Sequence, residues 1–205
     1  MSLDVISLDE AKDAINQTSV STTDSELALW ITAVSQRFDR LCGPVVKRSV
    51  TELHDGGETF IRPRTTPLAE VTTLTEYVST TGTVLSEETN ATKPSNGYLI
   101  DAPWTHDVRI RRRGSGGDSL FPWGRNNVEL VYNAGRADST SDVDEVFRLT
   151  AGAILRRLWS REQGAWSTGG DPFAEAGGGQ MRFHKTVDPM VREFLADEMR
   201  PPVVG

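Results

Sequence analysis

The sequence predicts an α+β protein: a small helical bundle from the N- and C-terminal segments with an inserted antiparallel β-sheet region. Three observations predict it. Apolar residues recur at steps of three and four from Leu27 to Leu41. The chain then changes to Thr- and Val-rich runs separated by turn residues, over residues 45 to 133. Helical spacing returns after an acidic cap at Ser141 or Asp142. On this pattern the chain divides into N-terminal helices over 1–44, a β region over 45–135, and C-terminal helices with a Gly-rich loop and a tail over 136–205.

Ser7-Leu8-Asp9-Glu10 reads as a capping box, in which Ser7 takes the amide three residues on and Glu10 reaches back. Leu8, Ala11, Ala14 and Ile15 follow at helical spacing, and a polar loop from Gln17 to Thr22 ends the first helix. A second helix starts at Thr23 or Asp24, where Asp24 and Glu26 suit its positive end. Leu27, Trp30, Ile31, Val34, Phe38 and Leu41 make its apolar stripe, and Gly43-Pro44 stops it.

In the middle segment Val46 to His54 reads as a strand, with Asp55-Gly56-Gly57 turning it into Thr59 to Arg62 as a hairpin. Pro63 and Pro67 bracket an extended link. Val71 to Val78 alternates, Thr81-Gly82 is a turn, and Thr83 to Leu85 returns. Tyr98 to Ile100, Val108 to Arg112 and Val128 to Tyr132 complete a sheet of roughly six strands. Beyond it, Val143, Val146, Phe147, Thr150, Ala151, Ile154, Leu155 and Leu158 form a wide helical face. Gly164 to Gly179 reads as a flexible loop, and Asp188-Pro189 opens a last helix that Pro201-Pro202 stops.

Composition narrows the function classes. A chain of 205 residues with 37% hydrophobic and 25% charged residues is long enough to bury a core without staples. The single Cys42 excludes a disulfide framework and a cysteine metal site. A net charge of -7 argues against a surface that grips nucleic acid throughout. No apolar run reaches the length of a membrane span, and Met1-Ser2-Leu3-Asp4 does not open a signal peptide, so no membrane association is expected.

Chemistry-bearing motifs are sparse. His54, His106 and His184 form no metal-binding pair. His54-Asp55 and His106-Asp107 are sequence neighbours, which face opposite ways on a strand, so these histidines read as surface or turn residues. Gly114-Ser115-Gly116-Gly117 lacks the Lys and the helix of a phosphate loop and reads as a mobile β-loop. No cofactor, metal or catalytic residue is expected. Arg109, Arg111, Arg112 and Arg113 are the one concentrated basic segment. They read either as a contact with nucleic acid or an acidic partner, or as strand residues paired with carboxylates of this chain or of a neighbouring copy. Trp104 and Trp123 flank that region and suit base or sugar stacking, core packing or a subunit interface.

The order of the pieces carries more than any single motif. Leu8-Asp9-Glu10-Ala11-Lys12 precedes a polar gap, and Asp24-Ser25-Glu26-Leu27 opens a helix ending Phe38-Asp39-Arg40-Leu41-Cys42-Gly43-Pro44. After the β segment come Val128-Glu129-Leu130-Val131-Tyr132-Asn133-Ala134-Gly135, an acidic-capped helix ending Leu155-Arg156-Arg157-Leu158-Trp159, and a final helix. Across nearly the whole chain this order resembles the tailed-phage head-to-tail connector family (adaptor or head-completion proteins). The segment Val50 to Gly57, and Thr72 to Gly82, resemble versions carried by phages of actinobacteria. The β segment is longer than in compact, largely helical members.

The resemblance implies a structural virion protein of the neck, assembled in the host cytoplasm. It implies a homo-oligomeric ring, typically of twelve copies, docked between the portal protein and a stopper or tail-completion protein, with genomic DNA passing through the lumen. Twelve copies at -7 each would carry roughly -84, a field that discourages DNA from sticking. In that setting Pro201, Pro202, Val203, Val204 and Gly205 are the candidate portal-docking segment. Arg109, Arg111, Arg112, Arg113, Trp104, Trp123, Glu193, Asp197 and Glu198 are candidates for the subunit interface or channel. Trp30, Trp159 and Trp166 offer further apolar surface for neighbouring copies. Other readings are a stopper or tail terminator, a glycan- or receptor-binding module built on the tryptophans, and an enzyme, for which no constellation of residues speaks.

Overall fold

A computed structural model of the protein describes residues 3–17, 24–91, 93–167 and 195–196. These contain helices α1 (Leu8–Ala14), α2 (Asp24–Cys42) and α3 (Glu145–Ser167) and a 3-10 turn at Thr140–Asp142. The strands are β1 (Arg48–His54), β2 (Phe60–Ile61), β3 (Leu68–Val78), β4 (Thr81–Glu87), β5 (Gly97–Asp101), β6 (Arg109–Gly114), β7 (Gly117–Asp118) and β8 (Val128–Ala134). The fold is α+β. The chain forms two compact units, Met1–Cys42 with Ser139–Gly205, and Gly43–Asp138.

In the helical unit the capping box at Ser7 is complete. Ser7 Oγ accepts from the Glu10 amide at 3.3 Å, and a Glu10 carboxylate oxygen accepts from the Ser7 amide at 2.9 Å. Helix α2 buries Leu27, Ile31, Val34 and Phe38 as its periodicity requires, together with Ser35 and Cys42. Ser35 is tolerated there because its hydroxyl donates to the Ile31 carbonyl and accepts from the Val5 amide. Phe38 meets Phe147 of α3 edge-on, with ring centroids 5.9 Å apart. Trp30 meets Trp159 in the same way at 6.3 Å; Trp159 is buried, so it offers no outward surface, while Trp30 is half-buried.

Helix α3 starts later than the sequence suggests. Ser139 Oγ bonds Asp142 and the Asp142 amide bonds Ser139 O, which closes a tight turn. Val143 is then extended and buried, and the true cap is Asp144, which receives the Val146, Phe147 and Arg148 amides. The helix also runs past Gly164 to Ser167, so the residues expected to open the Gly-rich loop are helical. The remainder of that loop and the last helix lie outside the described residues, apart from Leu195 and Ala196.

The sheet unit differs from the expected antiparallel region in strand count, direction and pairing. Eight strands run in the order β1-β8-β3-β4-β5-β6-β2, with β7 on β6. The β4–β5 pair is parallel. β1 does not form a hairpin with β2: it pairs with β8, while β2 pairs with β6. The 55–57 segment is held by the 121–124 loop instead, through Gly56 N to Gly124 O and Gly57 N to Phe121 O. A side chain at Gly56 would collide with the Pro122 carbonyl, which is why glycine stands at that crossing. The β3–β4 turn is Ser79-Thr80, with Ser79 at φ 57°, and Thr81-Gly82 already belong to β4.

Strand β8 pairs on both sides, with β1 and β3, and buries Val128, Leu130, Tyr132 and Ala134 in strict alternation. Ile61, Leu68, Leu74, Leu85, Tyr98, Ile110 and Phe121 complete the same core. Burial pushes the Tyr98 hydroxyl up to about 12, so it stays protonated in this core at any physiological pH.

Candidate functional site

The basic strand is the densest concentration of charge in the sheet unit. The pleat of β6 sends Ile110 and Arg112 inward and leaves Arg109, Arg111 and Arg113 on the other face. Every one of the four arginines meets a carboxylate of the same unit. Arg109 bonds Asp107 at 2.9 Å and lies over the Phe60 ring. Arg111 spans Asp101 at 2.5 Å and Asp118 at 3.2 Å, and these carboxylates raise its pKa further. Arg112, 7% exposed, grips both oxygens of Glu76 and also donates to Asn96, the Gly97 carbonyl and the Arg113 carbonyl. Arg113 donates to the Thr89 carbonyl and pairs with Glu88 at 3.4 Å.

Gly114 pairs with Gly117, so the Gly114–Gly117 segment is a two-residue hairpin turn between β6 and β7 rather than an open mobile loop. The basic strand therefore presents ion pairs, not a free cationic surface.

A second polar cluster went unread in the sequence. Glu52 and His54 stand two apart on β1, on one face. His54 Nε2 lies 3.1 Å from a Glu52 oxygen, and both side chains are about nine-tenths buried. The Arg64 amide donates to the same carboxylate at 2.9 Å, and the Tyr132 hydroxyl donates to its other oxygen at 2.8 Å. Burial alone would raise the Glu52 pKa; the Arg64 amide, the Tyr132 hydroxyl and His54 together hold it below its ordinary value. Burial lowers His54 despite its carboxylate neighbour. Burial and the Glu52 carboxylate raise Tyr132 well above its ordinary value. His54 is thus a core residue and not a surface one. Its signal was Glu52 two positions before it, not Asp55 beside it. Among the described residues no group of three or more His, Cys, Asp or Glu converges to hold a metal ion.

The tryptophans occupy distinct settings. Trp104 is half exposed at φ 68°, with the Lys47 ammonium over its ring at 5.8 Å. Trp123 is 85% exposed, on the loop that interlocks with Gly56 and Gly57. Glu193, Asp197, Glu198 and the segment Pro201, Pro202, Val203, Val204 and Gly205 lie outside the described residues.

In the helical unit, a groove of about 610 Å³ runs between α1 and α3, lined among others by Ile6, Asp13, Ala14, Leu149 and Ala153. Gly152 lets α1 approach, since a methyl there would sit 3.3 Å from the Ala14 side chain. Arg148 bridges Glu10 and Glu145 along the groove, and Arg156 donates to the Ala14 carbonyl. No described helix is long and apolar enough to cross a membrane.

No protein-family model matches the chain, and no curated protein does. Solved structures do match. A chain from the neck of an empty GTA particle, computed with C6 symmetry, is 15% identical with a TM-score of 0.61. A chain from the neck of a native GTA particle, computed with C12 symmetry, is 15% identical with a TM-score of 0.52. In both comparisons 100% of this chain and 95% of the other are covered. The likeness therefore concerns the whole fold, helical and sheet segments together.

Proposed function

We propose that this chain is a structural subunit of a head-to-tail connector: an adaptor that forms a ring between portal and stopper or tail, through which DNA passes. The observation that carries the proposal is the end-to-end likeness to chains of particle necks with six- and twelve-fold symmetry. The order of sequence segments supports the same reading independently. The internally paired arginines of β6 fit it as well, because a conduit must let DNA slide and a strand of free guanidinium groups would hold phosphates. In this role the chain performs no turnover and needs no cofactor. Its partners are further copies of itself, the portal, a stopper or tail-completion protein, and DNA as passive cargo. Its place is the virion neck. We assign portal docking to Pro201, Pro202, Val203, Val204 and Gly205, and a subunit-interface or channel role to Glu193, Asp197 and Glu198, from the sequence.

The test mixes the purified chain with the portal of the same particle and images the product by cryo-electron microscopy. A ring stacked on the narrow end of the portal is the expected result. Absence of any association at moderate salt overturns the proposal.

A further inference from the structure

A cyclic ring needs two different faces on each subunit, one complementary to the other, because a face that pairs with itself closes at two copies. The helical unit presents two such faces. On α2, opposite the buried stripe, Glu26, Leu29, Ala33 and Arg37 follow one another along the exposed side, and Leu29 is 72% exposed. On α3, Glu145, Leu149, Ala153 and Arg156 follow one another along the wall of the groove; Ala153 is half-buried, the other three are exposed, and Leu149 is 66% exposed. Single exposed leucines are ordinary on a protein surface; here each stands in a row with an acid at one end and a base at the other.

The two rows are complementary in charge, size and length. Laid antiparallel, they meet in a single register: Glu26 opposite Arg156, Leu29 opposite Ala153, Ala33 opposite Leu149, and Arg37 opposite Glu145. Each acid meets a base and each leucine meets an alanine. The span is the same on both helices, eleven residue steps or about 16 Å. The groove between α1 and α3, lined by Ala153, offers a depression large enough for a leucine side chain.

We infer that the outer face of α2 of one copy seats in the α1–α3 groove of the next, and that this heterologous contact closes the ring. The inference rests on the connector reading, and it names the face and the occupant, a second copy of this chain. A self-complementary α2–α2 or α3–α3 pairing also opposes acids to bases, but it would give a closed dimer.

The test uses full-length chains assembled on the portal. Leu29→Cys and Ala153→Cys are made singly and together; Cys42 is buried and serves as the unreactive background. Under mild oxidation the double variant should give a ladder of covalent multimers. A mixture of the two single variants should stop at dimers, and each single variant alone should give none. In parallel, Glu26→Arg and Arg156→Glu should each lower ring yield by about tenfold, and the two combined should restore it. Rings that form without the Leu29–Ala153 cross-link overturn this contact and leave the connector reading standing. Self-cross-linking of Leu29→Cys alone overturns it in favour of a two-fold dimer. Failure of the unmodified chain to assemble on the portal overturns both.

Discussion

Arg112 sets its Nε and Nη2 against the two carboxylate oxygens of Glu76, each at 2.9 Å, although the strands that carry them are third neighbours in the sheet. Strands spaced by nearly 5 Å would stand about 14 Å apart in a flat sheet. The two long side chains reach across the strands between them; β4 pairs with β3 through Leu85 and with β5 from Ser86. A buried pair of this kind is costly to break and cheap to replace as a whole. Arg112→Met or Glu76→Leu alone should remove about 3–5 kcal/mol of stability, because each strands a buried charge. The double variant should cost less than either single change. Urea denaturation followed by tryptophan fluorescence checks the order, and equal or additive losses would disprove it.

The Glu52–His54 pair predicts a pH dependence. His54 in the folded chain sits below its ordinary value of 6.5, so between the two values the unfolded chain binds the extra proton. Stability is then complete above pH 6.5 and declines as the pH falls below it. Glu52, held below 4.5, adds a second decline of the same sign in more acidic solution. Replacing His54 with Gln should flatten the slope just below pH 6.5 while keeping the loss below pH 4.5. A melting temperature that rises between pH 6.5 and 5 in the unmodified protein would contradict this.

What could be read from the sequence was what neighbouring residues decide. Ser7 and Glu10 are three apart, and their mutual capping needs no tertiary partner. The stripe of α2 and the alternation of β8 follow from period alone. The failures share a cause, which is distance along the chain. Asp55-Gly56-Gly57 looks like a hairpin turn, yet its amides bond residues near 121–124, so β1 and β2 separate to β8 and β6. The parallel β4–β5 pair has no local signature at all. Val143 fits the helical stripe by spacing, but the Ser139–Asp142 turn spends those residues before α3 starts. The β6 arginines were conspicuous in the sequence. Their partners Glu76, Glu88 and Asp101 were not, since 36, 25 and 10 positions separate them from the guanidinium groups they meet. The complementarity of the α2 and α3 outer rows was invisible until burial showed which side of each helix faces out.

Gly135 ends β8 at φ 136°, a region that side chains avoid, and a methyl group there would lie 2.6 Å from the Lys47 backbone. Its amide also donates to the Pro67 carbonyl at 3.0 Å. Strain and collision act together, so Gly135→Ala should lower stability by at least about 1–3 kcal/mol. Gly116, with open space around it and no positive φ, is the internal control. Gly116→Ala should change stability by no more than about 0.5 kcal/mol. Thermal melts of the two variants side by side decide the matter, and equal melting temperatures would show that the β8 exit is not constrained as described.

Trp123 combines near-complete exposure with a fixed support. Asn127 donates to the Pro122 carbonyl at 2.7 Å and accepts from the Gly56 amide at 2.9 Å, which anchors both sides of the loop. The indole lies against Gly57, where a Cβ would sit 3.0 Å from the ring. The ring contributes little to the core, because 85% of the residue remains in solvent. Its loss should therefore move stability by no more than about 0.5 kcal/mol. Tryptophans held rigid on a surface are strong anchors when a partner covers them, and truncating one commonly costs at least 2 kcal/mol of association, about thirtyfold. In the proposed connector, Trp123→Ala should thus leave the melting temperature in place while weakening association with a neighbouring component by that factor. Sedimentation of the portal-bound assembly measures the second effect. Unchanged association would remove Trp123 from the contact surface, and a large drop in melting temperature would place it in the core of the loop instead.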